Sequence, residues 1–282
     1  MRKRSSAPKV LVVEKAGFCF GVRRAIKIAS DAAKKSKKRV YTLGPLIHNP
    51  QVVEDLTKKG VCVAKGVAGL NGTVIIRSHG MHPKTLNSIK SRKIKIVDAT
   101  CPFVKKAQEK AALLHKQGYQ VVVVGEKHHP EVQGIVGYAG GEAIVINQND
   151  KFPDLSGFKK LGIVAQTTYN FDVFCKLVGK LLKSVKEIKI FNTICNVTAD
   201  AQKNTLDLAK KVDLMVVVGG HNSANTSRLA ELCRELGKKT YHIETAKELD
   251  KKWFKKVAKV GVTAGTSTPD WIIQEVVEKI KS

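Results

Sequence analysis

The sequence is short of acidic residues. Asp and Glu number 24 against 50 Lys and Arg, which leaves a formal charge of +26 at neutral pH. A field of that sign favours acidic partners: nucleic acid, an anionic membrane surface, a phosphorylated substrate or an acidic protein. The lysines are spread along helical patterns rather than gathered in a tail, so a merely solvated basic surface accounts for the charge equally well. Aromatic residues are scarce, at 6%, which argues against a stacking platform for single-stranded nucleic acid. No apolar run approaches the ~20 residues of a membrane span. Residues 1–9 are basic and polar, with no apolar stretch behind them long enough for a signal peptide. They read as a disordered tail, and the protein as cytoplasmic. There is no Gly-x-Gly-x-x-Gly fingerprint and no flavin signature, so electrons for any redox step must come from outside. There is no Cys-x-x-Cys either, whereas structural zinc takes four ligands from closely spaced pairs.

What is present is a repeat, and fixed-period self-similarity decides the fold before anything else does. Ile96-Val97-Asp98-Ala99-Thr100-Cys101 is a β-branched run that ends in a cysteine and opens a helix. Val10–Val13 leads in the same way through Gly17-Phe18 to Cys19 and a helix over Val22–Lys35. Ile188–Phe191 leads to Cys195 and a helix near Gln202–Lys211. After each helix comes a strand ending in glycine, at Gly44, Gly125 and Gly219. Four residues past each glycine stands a polar side chain: His48, His129 and Ser223. A second helix and strand follow, then a third strand with a polar tip at Ser78-His79, at Gln166-Thr167 and at Thr266-Ser267. A further helix leads back to the next cysteine strand. Asp270–Lys281 is the last such helix, and the strand it calls for is Val10–Val13. Short β-branched strands alternating with longer helices predict an α/β fold with mostly parallel sheets. The expected architecture is three similar units, over 10–97, 98–192 and 193–282, closed in a pseudo-threefold ring, with the N-terminal strand completing the third.

Ligands of open α/β sheets bind beyond the carboxyl ends of the strands, and that is where the repeat places its chemistry. Cys62, Cys175 and Cys233 lie inside strand or helix patterns and read as small hydrophobes. Cys19, Cys101 and Cys195 lie at strand-to-helix junctions, where a helix N-terminus favours the thiolate. Three thiolates at one centre need a cation, and soft thiolates select zinc, copper(I) or iron–sulfur. Wide separation fits a cubane iron–sulfur cluster with one iron lacking a protein ligand. His48, His79, His129, Thr167, Ser223 and Ser267 stand at the same strand ends. The Gly219–Ser227 loop and the Gly265–Asp270 loop suit an anion such as a diphosphate. Thr268 or Ser267 is the expected N-cap of the last helix, with Pro269 at its first position. Glu131 is the carboxylate of the set, either a general acid or a first-turn residue favoured by the dipole.

Gly17-Phe18-Cys19-Phe20-Gly21-Val22, His48-Asn49-Pro50, Ser78-His79-Gly80, Asp98-Ala99-Thr100-Cys101-Pro102, His129-Pro130-Glu131-Val132, Gln166-Thr167-Thr168, Asn222-Ser223-Ala224-Asn225 and Thr263-Ala264-Gly265 together resemble the 4-hydroxy-3-methylbut-2-enyl diphosphate reductases. These are the terminal enzymes of the non-mevalonate isoprenoid pathway. The resemblance implies a 4Fe–4S cluster on Cys19, Cys101 and Cys195 with one open iron. It implies a diphosphate held by His48, His79, Ser223, Asn225 and Ser267, with His129 near the diphosphate and hydroxyl end. Glu131 would supply protons and Thr167 would help to place the substrate hydroxyl. The implied reaction is a two-electron reductive dehydroxylation to isopentenyl and dimethylallyl diphosphate, with reduced ferredoxin or flavodoxin as donor. The sequence departs from the family at Ala224, where a second serine is common, and at Ala199-Asp200-Ala201 after the third cysteine. The rival reading is a non-catalytic nucleic-acid binder with a structural metal centre. It accounts for the charge but not for the repeated polar tips.

Overall fold

The computed structural model of the chain describes residues 7–47, 49–183 and 185–282; His48 falls outside them. In chain order the elements are β1 (Lys9–Val12), α1 (Phe20–Lys35), β2 (Val40–Leu43), α2 (Pro50–Lys58), β3 (Val61–Ala64), β4 (Thr73–Ile76), α3 (Pro83–Ser91) and β5 (Lys95–Asp98). There follow α4 (Pro102–Lys116), β6 (Gln120–Val124), α5 (Pro130–Tyr138), β7 (Ile144–Ile146), β8 (Lys160–Ala165), α6 (Phe171–Leu181) and β9 (Glu187–Ile190). The chain continues with α7 (Asn196–Ala209), β10 (Leu214–Val218), α8 (Ala224–Glu235), β11 (Lys239–Ile243), β12 (Lys259–Ala264) and α9 (Asp270–Lys281).

Among the described residues these strands make three four-stranded sheets, ordered β1-β12-β10-β11, β3-β2-β4-β5 and β7-β6-β8-β9. Every pairing is parallel. The three orders are one plan. The strand that leads to a cysteine sits at an edge, beside the strand that carries the polar tip. The N-terminal strand takes its predicted place, with Val10 opposite Val260 and Val12 opposite Val262. Parallel sheets are covered by helices on both faces, so their inner strands are apolar throughout rather than alternating. Thr73–Ile76 and Leu214–Val218 are buried at every position.

The chain divides into two compact units. One holds residues 7–23, 47–54 (His48 aside) and 196–282. Its core is Leu214, Val216, Val218, Val260, Val262, Ile272, Val276 and Ile280, from one sheet and α9. The other holds residues 24–46 and 55–195, described apart from Ser184, and contains the other two sheets. There α4 and α5 pack on β6 and β8 through Ala107, Ala111, Leu114, Val121, Val123, Ile135 and Val164.

Three local expectations need correction. The helix after Cys195 begins at Asn196, not near Gln202: the third junction starts its helix directly after the cysteine, as the other two do. Ala199, Asp200 and Ala201 are therefore helical. The N-cap of α9 is Pro269, with φ −66° and ψ 146°, and neither Ser267 nor Thr268. The Thr268 hydroxyl turns back to donate to the Val218 carbonyl at 3.0 Å. Cys175 is exposed on α6 and is no core hydrophobe, whereas Cys233 is buried.

Candidate functional site

Each of the three junction cysteines is the residue immediately before a helix, α1, α4 or α7. Each is held by the same device. The Cys19 amide donates to the Thr266 carbonyl at 3.0 Å, the Cys101 amide to Ser78 at 3.0 Å, and the Cys195 amide to Thr167 at 2.7 Å. The acceptor is always in the polar tip of the neighbouring strand: at Cys101 the bond is one step past the Ala99–Ile76 bond, while at Cys195 and Cys19 it lies farther beyond the last backbone bonds, Phe191 to Ile163 and Val13 to Val262. The backbone thus fixes where each cysteine side chain starts. At Cys19 the sulfur also accepts from the Val22 amide at 3.4 Å, as a helix cap would. At Cys101 the preceding turn is fixed by Asp98, whose carboxylate accepts from the Thr100 amide at 2.9 Å and pairs with Lys105 at 2.5 Å. All three cysteines are half-buried and none is in a disulfide.

Beside Cys195 lies the buried carboxyl of Glu131. Its two oxygens accept from the Thr167 amide at 2.6 Å and the Thr167 hydroxyl at 2.9 Å. Burial pushes its pKa up to about 7, against the downward pull of both Thr167 bonds. A carboxyl poised there holds a proton near neutrality and can release it, which is what a general acid needs. Thr167 thus connects Glu131 to Cys195, its side chain on one and its carbonyl on the other.

His129 is the N-cap of α5, and its Nδ1 accepts from the Glu131 amide at 3.2 Å. That bond leaves Nε2 as the protonated, donor nitrogen of the neutral ring. The His79 ring meets His129 edge-on, with centroids 5.5 Å apart. His79, His129, Glu131, Thr167, Cys101 and Cys195 all belong to one compact unit.

Cys19, Ser223, Asn225 and Ser267 belong to the other unit. Ser223 caps α8, its hydroxyl oxygen accepting from the Thr226 amide and the Thr226 hydroxyl at 3.3 and 3.0 Å. Gly219 has φ +145°, and a Cβ there would lie 2.8 Å from the Thr226 hydroxyl oxygen; at Gly265 it would lie 2.0 Å away. Only glycine lets these two strand ends close on Thr226. Asn225 is buried, and its Nδ2 donates weakly to the Thr266 hydroxyl at 3.4 Å. Its Oδ1 has no partner. With the amide turned over, the oxygen takes the Thr266 hydroxyl and the NH₂ becomes the unsatisfied donor, which suits a phosphate oxygen. Ser267 is half-buried at the β12 tip.

Among the described residues, no three His, Cys, Asp or Glu side chains are grouped to close on one metal ion. A cubane cluster carries its metals at its own corners, so its cysteines stand farther apart than donors that converge on a single ion. The donor chemistry, three soft thiolate-forming groups at helix N-termini, fits such a cluster and does not fit a hard cation. Sequence reading missed the carbonyls of Ser78, Thr167 and Thr266 as cysteine anchors, because a backbone acceptor has no residue signature.

The family profile described as LytB protein matches residues 10–281. A Geobacter metallireducens protein named 4-hydroxy-3-methylbut-2-enyl diphosphate reductase is 52% identical over 274 residues, covering 97% of each chain. An Aquifex aeolicus protein of the same name is 47% identical over 276 residues, covering 96% of each. Two solved structures superpose. An (E)-4-hydroxy-3-methyl-but-2-enyl diphosphate reductase, the terminal enzyme of the non-mevalonate pathway, gives a TM-score of 0.77 at 47% identity, over 97% of this chain and 99% of that one. The E-1-hydroxy-2-methyl-but-2-enyl-4-diphosphate reductase of Plasmodium falciparum gives 0.86 at 27% identity, over 96% and 87%.

Proposed function

Because the chain belongs to the LytB family of 4-hydroxy-3-methylbut-2-enyl diphosphate reductases, we propose that the polar strand tips of its α/β repeat serve one reductase site. In that site Cys19, Cys101 and Cys195 hold a 4Fe–4S cluster with one open iron. His48, His79, Ser223, Asn225 and Ser267 hold the diphosphate, with His129 toward the hydroxyl end. The chain is an oxidoreductase of isoprenoid biosynthesis, and the family is an iron–sulfur one. It carries out the reductive dehydroxylation of 4-hydroxy-3-methylbut-2-enyl diphosphate to isopentenyl and dimethylallyl diphosphate. The rival reading as a nucleic-acid binder has no support among the relatives.

The reaction takes up two electrons and two protons and releases one water. When bound, the cluster supplies the electrons singly and a Lewis-acidic iron for the allylic oxygen. The protein supplies the rest. Histidines, hydroxyls and the Asn225 amide fix the diphosphate and so position the reacting carbon. Glu131 protonates the departing hydroxyl, so that water leaves rather than hydroxide. The Thr167 amide and hydroxyl aim the carboxyl, and both bonds stabilise the carboxylate left after transfer. The observation that carries this reading is the buried Glu131 carboxyl, near pKa 7 and tied through Thr167 to Cys195.

The test is anaerobic reconstitution with iron and sulfide, followed by an absorbance spectrum and a turnover assay with a small chemical reductant. A broad band at the blue end of the visible, with diphosphate-dependent turnover, is expected. Loaded protein that leaves the substrate untouched would refute the reading.

The electrons come from a separate protein, for which we propose reduced ferredoxin or flavodoxin in the cytoplasm. Both are acidic, and the chain carries +26. Turnover with such a donor is expected to fall steeply as salt rises, because steering is screened beyond ~8 Å at physiological ionic strength. Turnover with a small neutral reductant is expected to fall much less. Equal salt sensitivity with the two would leave the charge as a generic basic surface.

A further inference from the structure

The chain has few aromatic residues, yet two of the large ones are left in water beside one cluster-bearing cysteine. Phe20, the residue after Cys19, is 62% exposed, and Trp271 is 45% exposed. Phe18, the residue before Cys19, meets the Trp271 ring edge-on, with centroids 6.1 Å apart. The patch is held rigidly. The Arg23 guanidinium lies 5.9 Å from the Phe18 ring centroid, and its Nε donates to the Phe18 carbonyl at 3.0 Å. Its two terminal nitrogens donate to the two carboxylate oxygens of Asp270 at 2.8 and 3.1 Å, and Asp270 is the neighbour of Trp271. Gly17, at φ +95°, lets the cysteine loop lie against α9: a Cβ there would stand 2.9 Å from an Asp270 oxygen and from Ile273.

Phe, Trp and Arg on a preorganised surface are the residue types that dominate protein–protein binding energy. Leaving two large rings in water costs about 25 cal/mol for each Å² of apolar surface. Among the described residues, both rings stay open to water. The exposed charges beside the patch are mixed, Lys15 with Glu14 on the turn before it and Glu275 one helical turn from Trp271, so the long-range attraction for an acidic partner comes from the chain's +26 charge. A partner seated on Phe20 comes within one residue of the Cys19 sulfur.

We infer that Phe20 and Trp271, with Phe18 and Arg23 behind them, form the docking patch for the electron donor, a small acidic carrier protein whose redox centre lies near an apolar rim. This rests on the reading of the chain as a reductase with a cluster on Cys19, and it adds where the electrons enter. Each turnover oxidises two one-electron carriers by one electron each, so the contact must form and release twice. That suits a small patch with few anchors and long-range charge attraction.

The experiment compares the parent protein with Phe20→Ala and Trp271→Ala, all reconstituted, with iron content and circular dichroism checked. Turnover is measured with reduced ferredoxin or flavodoxin over a range of donor concentration, and separately with dithionite. The KM for the protein donor is expected to rise roughly tenfold or more in each variant, with turnover on dithionite unchanged. Trp271→Phe, which keeps an aromatic ring, is expected to recover most of the loss. An unchanged KM for the protein donor overturns the inference, and so does an equal loss with both reductants. A concentration-dependent dimer of the parent that Trp271→Ala dissociates, with the donor KM unmoved, assigns the patch to a second copy and also overturns it. If the parent itself fails to turn over with dithionite, the reductase reading falls, and this inference with it.

Discussion

Cys101→Ser protein, taken through anaerobic reconstitution, is expected to hold iron at background level and to show no turnover. The substitution changes one atom. The Cys101 amide still donates to the Ser78 carbonyl and the turn from Asp98 to Thr100 is untouched, so the variant folds with the parent's circular dichroism. What it loses is a soft sulfur donor, in exchange for a harder hydroxyl oxygen that binds iron–sulfur metal poorly. A cluster with three protein ligands has none to spare. Cys19→Ser and Cys195→Ser are expected to behave alike. Cys62→Ala, Cys175→Ala and Cys233→Ala are the controls, and each is expected to keep its iron. Cys62 lies in β3, Cys175 faces solvent, and Cys233 is a buried thiol whose pKa desolvation raises to about 11. A Cys101→Ser protein with the parent's iron content and rate would remove the cluster assignment.

Glu131→Gln is expected to lower turnover by roughly 10²–10⁴-fold with little change in substrate affinity. The amide fits the site. Its oxygen accepts from the Thr167 amide as Oε1 does now, and its NH₂ donates to the Thr167 hydroxyl oxygen. Binding is left to other residues, so titration of the cluster's spectrum with substrate gives a near-normal constant while single-turnover rates collapse. Near-normal kcat would reduce Glu131 to a first-turn helix residue.

The same variant has a second signature, in stability. Burial raises the folded-state pKa of Glu131 from 4.5 to about 7. Between those values the folded protein binds more protons here than the unfolded chain does. The contribution of this group to stability is therefore full below pH 4.5, and is lost as pH rises through 7. Gln does not titrate. Urea midpoints at pH 5 and pH 8 are expected to show the variant gaining on the parent at the higher pH. A parent and variant that differ equally at both values would show that the carboxyl is not strained by burial.

Much of the fold was legible because a strand's place follows from pattern and order. β-branched runs next to helical periods predict parallel sheets. The missing last strand after α9 pointed to Val10–Val13, which pairs with β12 as expected. Local chemistry was less secure where several hydroxyls compete for one role. Thr268 and Ser267 are both good caps by type, but Thr268 is drawn to the Val218 carbonyl, and Pro269 takes the cap position.

The sequence by itself determined the repeat, the parallel α/β class, the return of the N-terminal strand to the third unit and the residue types at the strand tips. All of these follow from hydrophobic period and spacing along the chain. Only the tertiary structure decided what those residues do to one another. Glu131 and Thr167 are distant in sequence, and nothing in either position tells a reader that an amide and a hydroxyl of one close on the two oxygens of the other. The carboxyl's shift toward neutrality has the same origin. It arises from the loss of water around a charged group, and burial is a property of packing, which no single residue carries.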